Sequence, residues 1–333
     1  MRLLRRSRLN GAMLAVCLIA AGVCLATHPG VRAQPALSPD PRSGEVECTS
    51  SLTERHNPHL ASGESNVICF EGYLSKFGPW HDEGVANGLA AWGIPQWTIH
   101  RVDAVPPGKQ VPEGRKRPRS WFSIPKLQTE GVAPADANYK FSKRFRDGHP
   151  NWYERGHLTQ KYLAERLPGQ AGWFTHNVVN AVPQRARFNK GPWLTLECYT
   201  GAWANENGSV WIITGPIFLR DRPADWLESD SARSRFAIAV PDAIFKIVAR
   251  KTDTGDWDAL GFLYPQDDRS YVKGPWSPAK WLTSIDRIER LTGEKFSPDL
   301  KPRAGRRDQP GHLWLAHRRS FDPSCKRFAK EVE

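Results

Sequence analysis

The stretch VVNAVPQRARFNKGPWLTLE, residues 178–197, determines most of what can be predicted about this chain. Pro183 disfavours a helix through the residues just before it. The letters FNKGPW then predict a turn, with Pro192 at the first position of a helix. Asn189 therefore lies just before that helix, and Glu197 lies about two turns into it. An amide oxygen and a carboxylate arranged in this way could both face one cavity.

A second stretch, WYERGHLTQ at residues 152–160, lies shortly before the first. His157 could act as a general base, because a neutral imidazole has a pKa near the working pH. Arg155 offers a planar fork to a phosphate group. An uncharged ligand such as Asn189 would leave the charge of a bound Mg²⁺ available to that phosphate. Together the two stretches supply a set of side chains that suits hydrolysis of a phosphodiester.

Each of these residues also has a plain structural interpretation. A single histidine in an Arg-Gly-His turn can be structural or solvent-exposed, and Asn189 can be a turn residue or a helix cap. Glu197 can be a surface charge, and Asn180 can satisfy backbone groups. Arg155 can belong to an exposed ion pair of small energetic value. The spacing alone does not decide between these interpretations and catalysis.

The composition indicates a globular, basic protein with a removable N-terminal segment. The chain has 333 residues, 40% of them hydrophobic and 25% charged, which suits one large domain or two small ones. Residues 1–33 combine a basic start, a short apolar run and small residues, and so predict an export signal, with an uncleaved anchor as the alternative. No later segment could cross a membrane, so we expect a periplasmic or secreted protein without stable membrane association.

Cleavage after Ala33 would leave 42 basic and 35 acidic side chains, a net charge of +7. This excess favours polyanions such as nucleic acid, although ordinary solubility would explain it equally well. Four cysteines would remain, which permits two disulfides. We favour Cys48 with Cys69, close in sequence, which leaves Cys198 with Cys325; free buried thiols are the alternative. Without a paired CxxC or an HExxH spacing, a structural zinc or a zincin protease has no support.

Apolar and β-branched runs predict strands, and longer amphipathic runs predict helices. The predicted strands are 210–219, 235–241, 243–251 and 258–266, and the predicted helices are 191–206 and 277–293. In the second helix, Ser277 is the expected cap and Gly293 the expected stop. This order predicts an α+β fold with a largely antiparallel central sheet flanked by helices. Residues 34–66 read as a linker and residues 306–333 as a basic, less structured tail.

The motifs, taken in order, resemble those of the DNA/RNA non-specific endonucleases, whose sites belong to the ββα-metal, or His-Me finger, class. The family's DRGH stands here as Glu154–His157, its N-x-x-P-Q as Asn180–Gln184, and its N-x-G-x-W-x-x-L-E as Asn189–Glu197. Further matches are TGP at Thr214–Pro216, P-x-x-x-x-K at Pro241–Lys246, and IE-x-x-TG-x-x-F at Ile288–Phe296. No single motif decides the family, but the ordered set covers roughly residues 70–300.

The resemblance implies a ββα-metal catalytic motif within a nuclease domain at residues 67–305. It implies that His157 activates water and that Asn189 is the main protein ligand of a hydrated Mg²⁺, for which Mn²⁺ could substitute. Glu197 would lie beside the metal's water shell, and Arg155 near the phosphate. The expected reaction is hydrolysis of both DNA and RNA, with little sequence preference and 5′-phosphate products.

The resemblance also implies that Asn180 helps to shape the site and that Arg119 matches a family arginine upstream of the histidine. It is compatible with a homodimer. Two departures from the family pattern stand out. Glu154 replaces the usual aspartate, and Gly201 occupies the place where a further arginine is expected. They motivate an alternative, a catalytically silent nucleic-acid-binding protein on the same scaffold. A phosphodiesterase acting on a small or lipid substrate is a third hypothesis.

Overall fold

A computed structural model describes residues 40–62, 66–78, 92–106, 109, 111, 114–145, 152–220, 222–228, 236–267, 271, 274–301 and 312–331. The predicted export signal at residues 1–33 lies outside these ranges. Parts of residues 105–122, a segment rich in arginine and lysine, and parts of the predicted tail at 306–333 also lie outside them. No helix among the described residues is long and apolar enough to cross a bilayer.

A large antiparallel sheet forms the centre of the protein. Its strands are β1 (Glu45–Val46), β2 (Val67–Phe70), β3 (Tyr73–Lys76), β4 (Trp97–Asp103), β7 (Ser209–Ile217), β10 (Ala243–Lys251), β11 (Trp257–Pro265) and β12 (Leu282–Thr283). They lie side by side in the order in which they are given. Every pairing in this sheet is antiparallel. The predicted α+β class with a largely antiparallel sheet is confirmed.

Helices cover both faces of the sheet. They are α1 (Ser50–His56), α2 (Pro125–Thr129), α3 (Asp136–Lys140), α4 (Lys161–Ala164), α5 (Ala171–Phe174), α6 (Ala186–Phe188), α7 (Leu194–Asn207) and α8 (Ile285–Thr292). Side chains alternate along each strand, so Ile212 packs into one core and Ile213 into the other. Trp203 of α7 belongs to the first core, and Ile288 of α8 belongs to the second. The middle strands are therefore buried on both faces, which explains their continuous apolar runs.

Two short strands outside the large sheet carry the Glu-Arg-Gly-His motif. β5 (Tyr153–His157) pairs antiparallel with β6 (Ala181–Arg185), and His157 lies opposite Ala181. The motif is therefore the end of a strand, not the turn that the sequence suggested. Pro183 fits within β6 because a two-stranded ribbon leaves one edge of each strand unpaired. A separate small ribbon consists of β8 (Asp225–Leu227) and β9 (Ile238–Val240).

β6 leads through α6 and a wide π-type turn, Asn189–Trp193, into α7. Strands β5 and β6 with α7 thus form a β-β-α unit. Pro192 lies inside the π-type turn, and the helical backbone is broken at Gly191. Turns of this kind often occur at functional sites. The predicted helix at 191–206 is confirmed with shifted ends, since α7 begins at Leu194, after the π-type turn, and ends at Asn207.

The end of the chain packs against α7. Trp314 and Phe321 are buried in the same core as Trp203, and the Trp203 indole donates a hydrogen bond of 3.1 Å to the Trp314 carbonyl. A disulfide joins Cys198 on α7 to Cys325. The described part of the predicted tail, residues 312–331, thus covers the outer face of α7. This explains why α7 is buried on nearly all sides.

The predicted helix at 277–293 is divided into two pieces. A short 3₁₀ turn, Pro278–Trp281, precedes the two residues of β12, and α8 begins only at Ile285. Pairing of β12 with β11 draws these residues into the sheet. The side chain of Ser284, rather than Ser277, accepts the capping hydrogen bond of α8. Gly293 ends α8 with a φ of 73°, as the sequence predicted.

Both predicted disulfides form. Cys48 is joined to Cys69 across 21 residues, and Cys198 is joined to Cys325 across 127 residues. The first links the segment before α1 to β2 at one edge of the large sheet. The second fixes the end of the chain onto the helix that carries Glu197.

We expect replacement of Cys198 and Cys325 by alanine to lower the free energy of unfolding by about 2–4 kcal/mol, because the bond restricts a long loop in the unfolded chain. Urea denaturation without reductant measures the change. The matched variant replaces Cys48 and Cys69 by alanine, and its shorter loop predicts a smaller loss. An equal or larger loss from the shorter pair would contradict this reasoning.

Candidate active site

A cleft of about 620 Å³ is lined by the end of β5 and the start of α7. It brings together four of the six predicted site residues: Arg155, His157, Asn189 and Glu197. The two sequence stretches that carry the motifs therefore face one space. Asn180 and Arg119 are not among the residues that line it.

The alternation of side chains along β5 directs Arg155 and His157 into the cleft. Residues two apart in a strand point to the same side. Gly156, between them, faces the opposite side, where an added Cβ atom would overlap the side chain of Gln184 on β6. The glycine of the motif therefore leaves the space that the buried Gln184 side chain occupies.

His157 lies half-buried in the cleft among other rings. Its ring centroid is 4.5 Å from that of Trp121 and 4.9 Å from that of His176. Burial lowers the pKa of His157 well below its usual range, and the positive charges of Arg117 and Arg155 act in the same direction. The imidazole is therefore neutral near pH 7, which is the form that can accept a proton.

The carboxylate of Glu154 orients the side chain of Asn189. The Asn189 amide nitrogen donates a hydrogen bond of 2.8 Å to Glu154, and the Lys190 ammonium lies 2.6 Å from the other carboxylate oxygen. A carboxylate only accepts hydrogen bonds, so it fixes which side of the amide turns toward it. The Asn189 Oδ1 has no hydrogen-bond partner within the described ranges. Replacing the family's aspartate by glutamate thus still leaves an acid in contact with Asn189.

Glu197 is buried near the start of α7, beside a second buried charge. Burial raises the pKa of Glu197 above its usual range, and the positive charge of Lys246 on β10 opposes that rise. Lys246 is only 1% exposed, and its ammonium lies 4.5 Å from the centre of the Trp193 ring. The P-x-x-x-x-K motif that ends at Lys246 thus places a buried ammonium group beside Glu197.

The donor set of the cleft fits a hard, hydrated cation. No group of three or more histidine, cysteine, aspartate or glutamate side chains in the described part of the chain could hold a metal ion. Mg²⁺ needs fewer protein ligands, because it usually keeps several waters and binds through one or two oxygen ligands. The uncommitted Oδ1 of Asn189 and the carboxylate of Glu197 are oxygen donors that line the same cleft.

Asn180 holds the backbone around the site together. It is fully buried, and its Oδ1 accepts a hydrogen bond of 2.8 Å from the Thr159 amide. Its amide nitrogen donates to the carbonyls of Thr159 and Thr175, each at 2.9 Å. All of its polar groups are used in linking the chain beyond β5 to the segment before β6. Its surroundings fit a shaping role rather than contact with a substrate.

The arginines of the site occupy different environments. Arg119 is exposed and lies outside the lining of the cleft, whereas Arg117 contributes to that lining. Arg155 forms an ion pair with Asp136. Its guanidinium lies 5.1 Å from the ring centres of both Trp121 and Phe145. These contacts fix the position from which Arg155 reaches the cleft, and its positive charge is paired with the carboxylate of Asp136.

Gly201 stands where the family has a further arginine, and neighbouring side chains fill the space beside it. A Cβ atom on Gly201 would lie 3.0 Å from the Arg166 guanidinium and 3.2 Å from the Asp322 carboxylate. Arg166 and Asp322 form a buried ion pair of 2.8 Å. The space beside Gly201 is thus occupied by a contact between α7 and the C-terminal segment.

The sequence did not identify three side chains that lie around the site: Trp121, Asp136 and His176. They lie outside the two motif stretches and reach Arg155 or His157 only through the fold. The sequence contained one indication of Trp121, since it lies two residues after Arg119 in the basic segment at 105–122. Nothing in the sequence distinguished Asp136 from other surface acids.

Comparison with known proteins agrees with the site. A family model described as DNA/RNA non-specific endonuclease matches residues 89–303. Human mitochondrial endonuclease G is 27% identical over 155 residues, which cover 46% of this chain and 51% of that protein. The mitochondrial nuclease of Saccharomyces cerevisiae is 24% identical over 273 residues, covering 77% of this chain and 78% of that protein. This chain thus spans about half the length of the human relative.

A solved structure of an EndoG/EndoGI complex has the same fold. It superimposes with a TM-score of 0.51 at 17% sequence identity, over 75% of this chain and 93% of that chain. At this identity the likeness supports the architecture alone. It agrees with the β-β-α unit and the large antiparallel sheet described above.

The predicted periplasmic or secreted location is wrong by comparison with these relatives, since the human and yeast proteins are both named as mitochondrial. The physical reason lies in residues 1–33. An arginine-rich segment without acids is also typical of mitochondrial transit peptides, so the composition that suggested an export signal does not separate the two.

The family match covers more than half of the chain, and it includes both motif stretches that meet in the cleft. The chain therefore belongs to the DNA/RNA non-specific endonuclease family.

Proposed function

We propose that this protein is a metal-dependent endonuclease that hydrolyses phosphodiester bonds in DNA and RNA. The observation that carries the proposal is the shared cleft, in which a neutral histidine faces the same space as two oxygen donors, Asn189 and Glu197. Membership of the family and the names of the matched relatives support the same reaction.

In this proposal His157 accepts a proton from the attacking water. The neutral ring needs no prior deprotonation near pH 7. Water attacks the phosphorus in line, the bond to the 3′-oxygen breaks, and the product carries a 5′-phosphate. Asn189 and Glu197 would hold the cation, directly or through its waters. A bound Mg²⁺ supplies Lewis-acid stabilisation of the negative charge that develops on the phosphate and the leaving oxygen.

Cationic side chains along the cleft support binding of a polyanion. Lys161 and Lys190 line it, but each also pairs with a carboxylate, Glu165 and Glu154 respectively. Arg117 lines it too and has no ion-pair partner among the residues that the structure describes. We therefore propose Arg117, rather than Arg119, as the arginine upstream of the histidine that contacts phosphate. Such contacts carry no sequence information, so little base preference is expected.

Replacing His157 by alanine should abolish nicking of supercoiled plasmid in Mg²⁺, because the group proposed to accept the proton of the attacking water is lost. Binding of the same plasmid and the melting temperature should change little. His312 is exposed, and its replacement by alanine is the matched control that should leave nicking intact. A His157→Ala protein that nicks at the unmodified rate would remove His157 from the role of base. Wild-type protein that binds plasmid but never nicks it, with Mg²⁺ or with EDTA, would favour the silent binding protein instead.

The contact between Glu154 and Asn189 should matter for metal use. We expect Glu154→Ala to lower activity about 10- to 100-fold at limiting Mg²⁺, since the Asn189 amide loses the group that orients it. Asn189→Ala should be affected at least as strongly. The matched control is Lys190→Ala, which removes the other partner of the same carboxylate and should leave the Mg²⁺ dependence of the nicking rate unchanged. Mg²⁺ titration of the nicking rate tests this, and an unchanged titration for both Glu154→Ala and Asn189→Ala would contradict it.

Arg117 and Arg119 provide a matched pair for substrate binding. Arg117→Ala should weaken binding of plasmid and flatten its dependence on salt, because one phosphate contact and its released counterion are lost. Arg119→Ala should change both less. The measurement is the affinity of the two variants at several salt concentrations. A larger loss for Arg119→Ala would restore the assignment made from the sequence.

A further inference from the structure

The C-terminal segment, residues 312–331, covers the outer side of α7. Because the helix itself is buried on nearly all sides, this segment forms the surface of the protein there. It runs antiparallel to the helix. The Ser320 carbonyl accepts a hydrogen bond of 2.7 Å from the side chain of Asn205 near the end of α7, and Cys325 is joined to Cys198 near its start.

Four cations of this segment are exposed, and they are here called the C-terminal basic strip: Arg318, Arg319, Lys326 and Arg327. None of the four has an ion-pair partner among the residues that the structure describes. Two nearby acids are engaged elsewhere, since Asp322 pairs with Arg166 at 2.8 Å and Glu206 accepts a hydrogen bond of 3.1 Å from the His317 amide. A cluster of unneutralised cations on one surface is typical of a site that binds a polyanion.

The strip begins close to the cleft. The Cα atoms of Cys198 and Cys325 are 5.5 Å apart, and Glu197, which lines the cleft, directly precedes Cys198. Consecutive Cα atoms are 3.8 Å apart, so the Cα atom of Lys326 lies within about 13 Å of that of Glu197. This distance corresponds to about four base-pair steps of DNA. A strand whose phosphate occupies the cleft can therefore reach Lys326 and its neighbour Arg327.

The other two cations lie further along the helix. Arg318 and Arg319 stand beside the end of α7, because Ser320 contacts Asn205 and the amide of the preceding His317 contacts Glu206. A helix rises 1.5 Å per residue, so the strip continues along α7 for about 12 Å beyond the disulfide.

The segment also borders the cleft through α4. Arg166, the partner of Asp322, directly follows Glu165, which lines the cleft. Burial raises the pKa of Tyr162, another residue of that lining, and the negative charge of Asp322 acts in the same direction. The surface of the C-terminal segment is thus continuous with the cleft.

We propose that the C-terminal basic strip is a second nucleic-acid-binding surface, which holds the phosphates of a strand that leaves the cleft along α7. The strip lies beyond the residues that the family model matches, so it adds to the binding surface of the family domain. The inference rests on the proposed function for the strand in the cleft. Binding itself can be measured without cleavage.

The direct test measures binding of a DNA duplex of about 30 base pairs by the full chain in EDTA, with fluorescence anisotropy at several salt concentrations. The variants are Lys326→Ala with Arg327→Ala, and Arg318→Ala with Arg319→Ala. Each pair should weaken binding and flatten the slope of log affinity against log salt by about 1–2 units, because up to two phosphate contacts are lost.

The matched control removes the same charge from the opposite face of the central sheet. Arg287 and Lys295 are exposed, and their neighbours Ile288 and Phe296 pack into the second core. Replacing both by alanine should leave the salt slope nearly unchanged. Slopes that are equal in wild type and in both strip variants overturn the inference. So does an equal loss in the control, which would assign the effect to net charge alone.

The kinetics of plasmid nicking provide a second measurement. Contacts away from the reacting phosphate contribute equally to the ground state and the transition state, so the strip variants should raise KM about 3- to 10-fold with little change in kcat. A lower kcat at unchanged KM would show that the substitutions disturb α7 and Glu197, and it would overturn a binding role.

A lipid surface is the competing partner, since Leu315 in the same segment is exposed. A single exposed leucine is ordinary in a soluble protein. Vesicles of phosphatidylcholine and phosphatidylserine distinguish the two partners. Strip variants that lose vesicle binding but bind the duplex like wild type overturn the inference.

Failure of the proposed function would be recognised separately. A wild-type protein that never nicks DNA would contradict the nuclease assignment, whereas the salt slopes measured in EDTA would still decide whether the strip binds nucleic acid. If nicking depends on His157 but the strip variants bind and nick like wild type, the nuclease assignment stands and the strip has no role in binding.

Discussion

The antiparallel pairing of β5 with β6 is the constraint on which the site depends. His157 lies opposite Ala181 in this pairing, and side chains alternate along a strand. A slip of one residue would therefore turn His157 away from the cleft. The buried amide of Asn180 secures the register from one end, because its hydrogen bonds join the backbone beyond β5 to the segment before β6. Gly156 fits the same pairing, since a larger residue there would overlap the Gln184 side chain of β6.

The second half of the site depends on a helix that is buried on nearly every side. α7 lies between the large sheet and the C-terminal segment, and a disulfide fixes that segment to it. A helix held in this way cannot shift to adjust Glu197. The buried charge of Lys246 on the sheet side limits the rise in the pKa of Glu197 that burial produces. The carboxylate is thus kept at the cleft although two charges are buried there, a pattern typical of functional sites.

Local patterns predicted the middle strands of the large sheet and α7, the longest helix among the described residues. The strands over 210–219 and 243–251 and the helix that became α7 were predicted because their apolar runs are long. The helix predicted at 277–293 is interrupted at Leu282 and Thr283. These two residues pair with β11 as β12, and this pairing outweighs their helical propensity. The pairing of cysteines was found because two of them are close in sequence, which left the others by elimination. The predicted location was wrong because arginine-rich leader segments of different destinations share a composition.

The sequence by itself determined the inventory of the site: His157, Asn189 and Glu197 are recognisable because motif order and helix spacing are properties of the chain alone. Only the tertiary structure decided what surrounds them. It placed His176 and Trp121 next to His157, and it placed Arg117, rather than Arg119, in the lining of the cleft. The physical reason is that the environment of a side chain consists of contacts between segments distant in sequence. Such contacts leave no regular spacing from which they could be predicted.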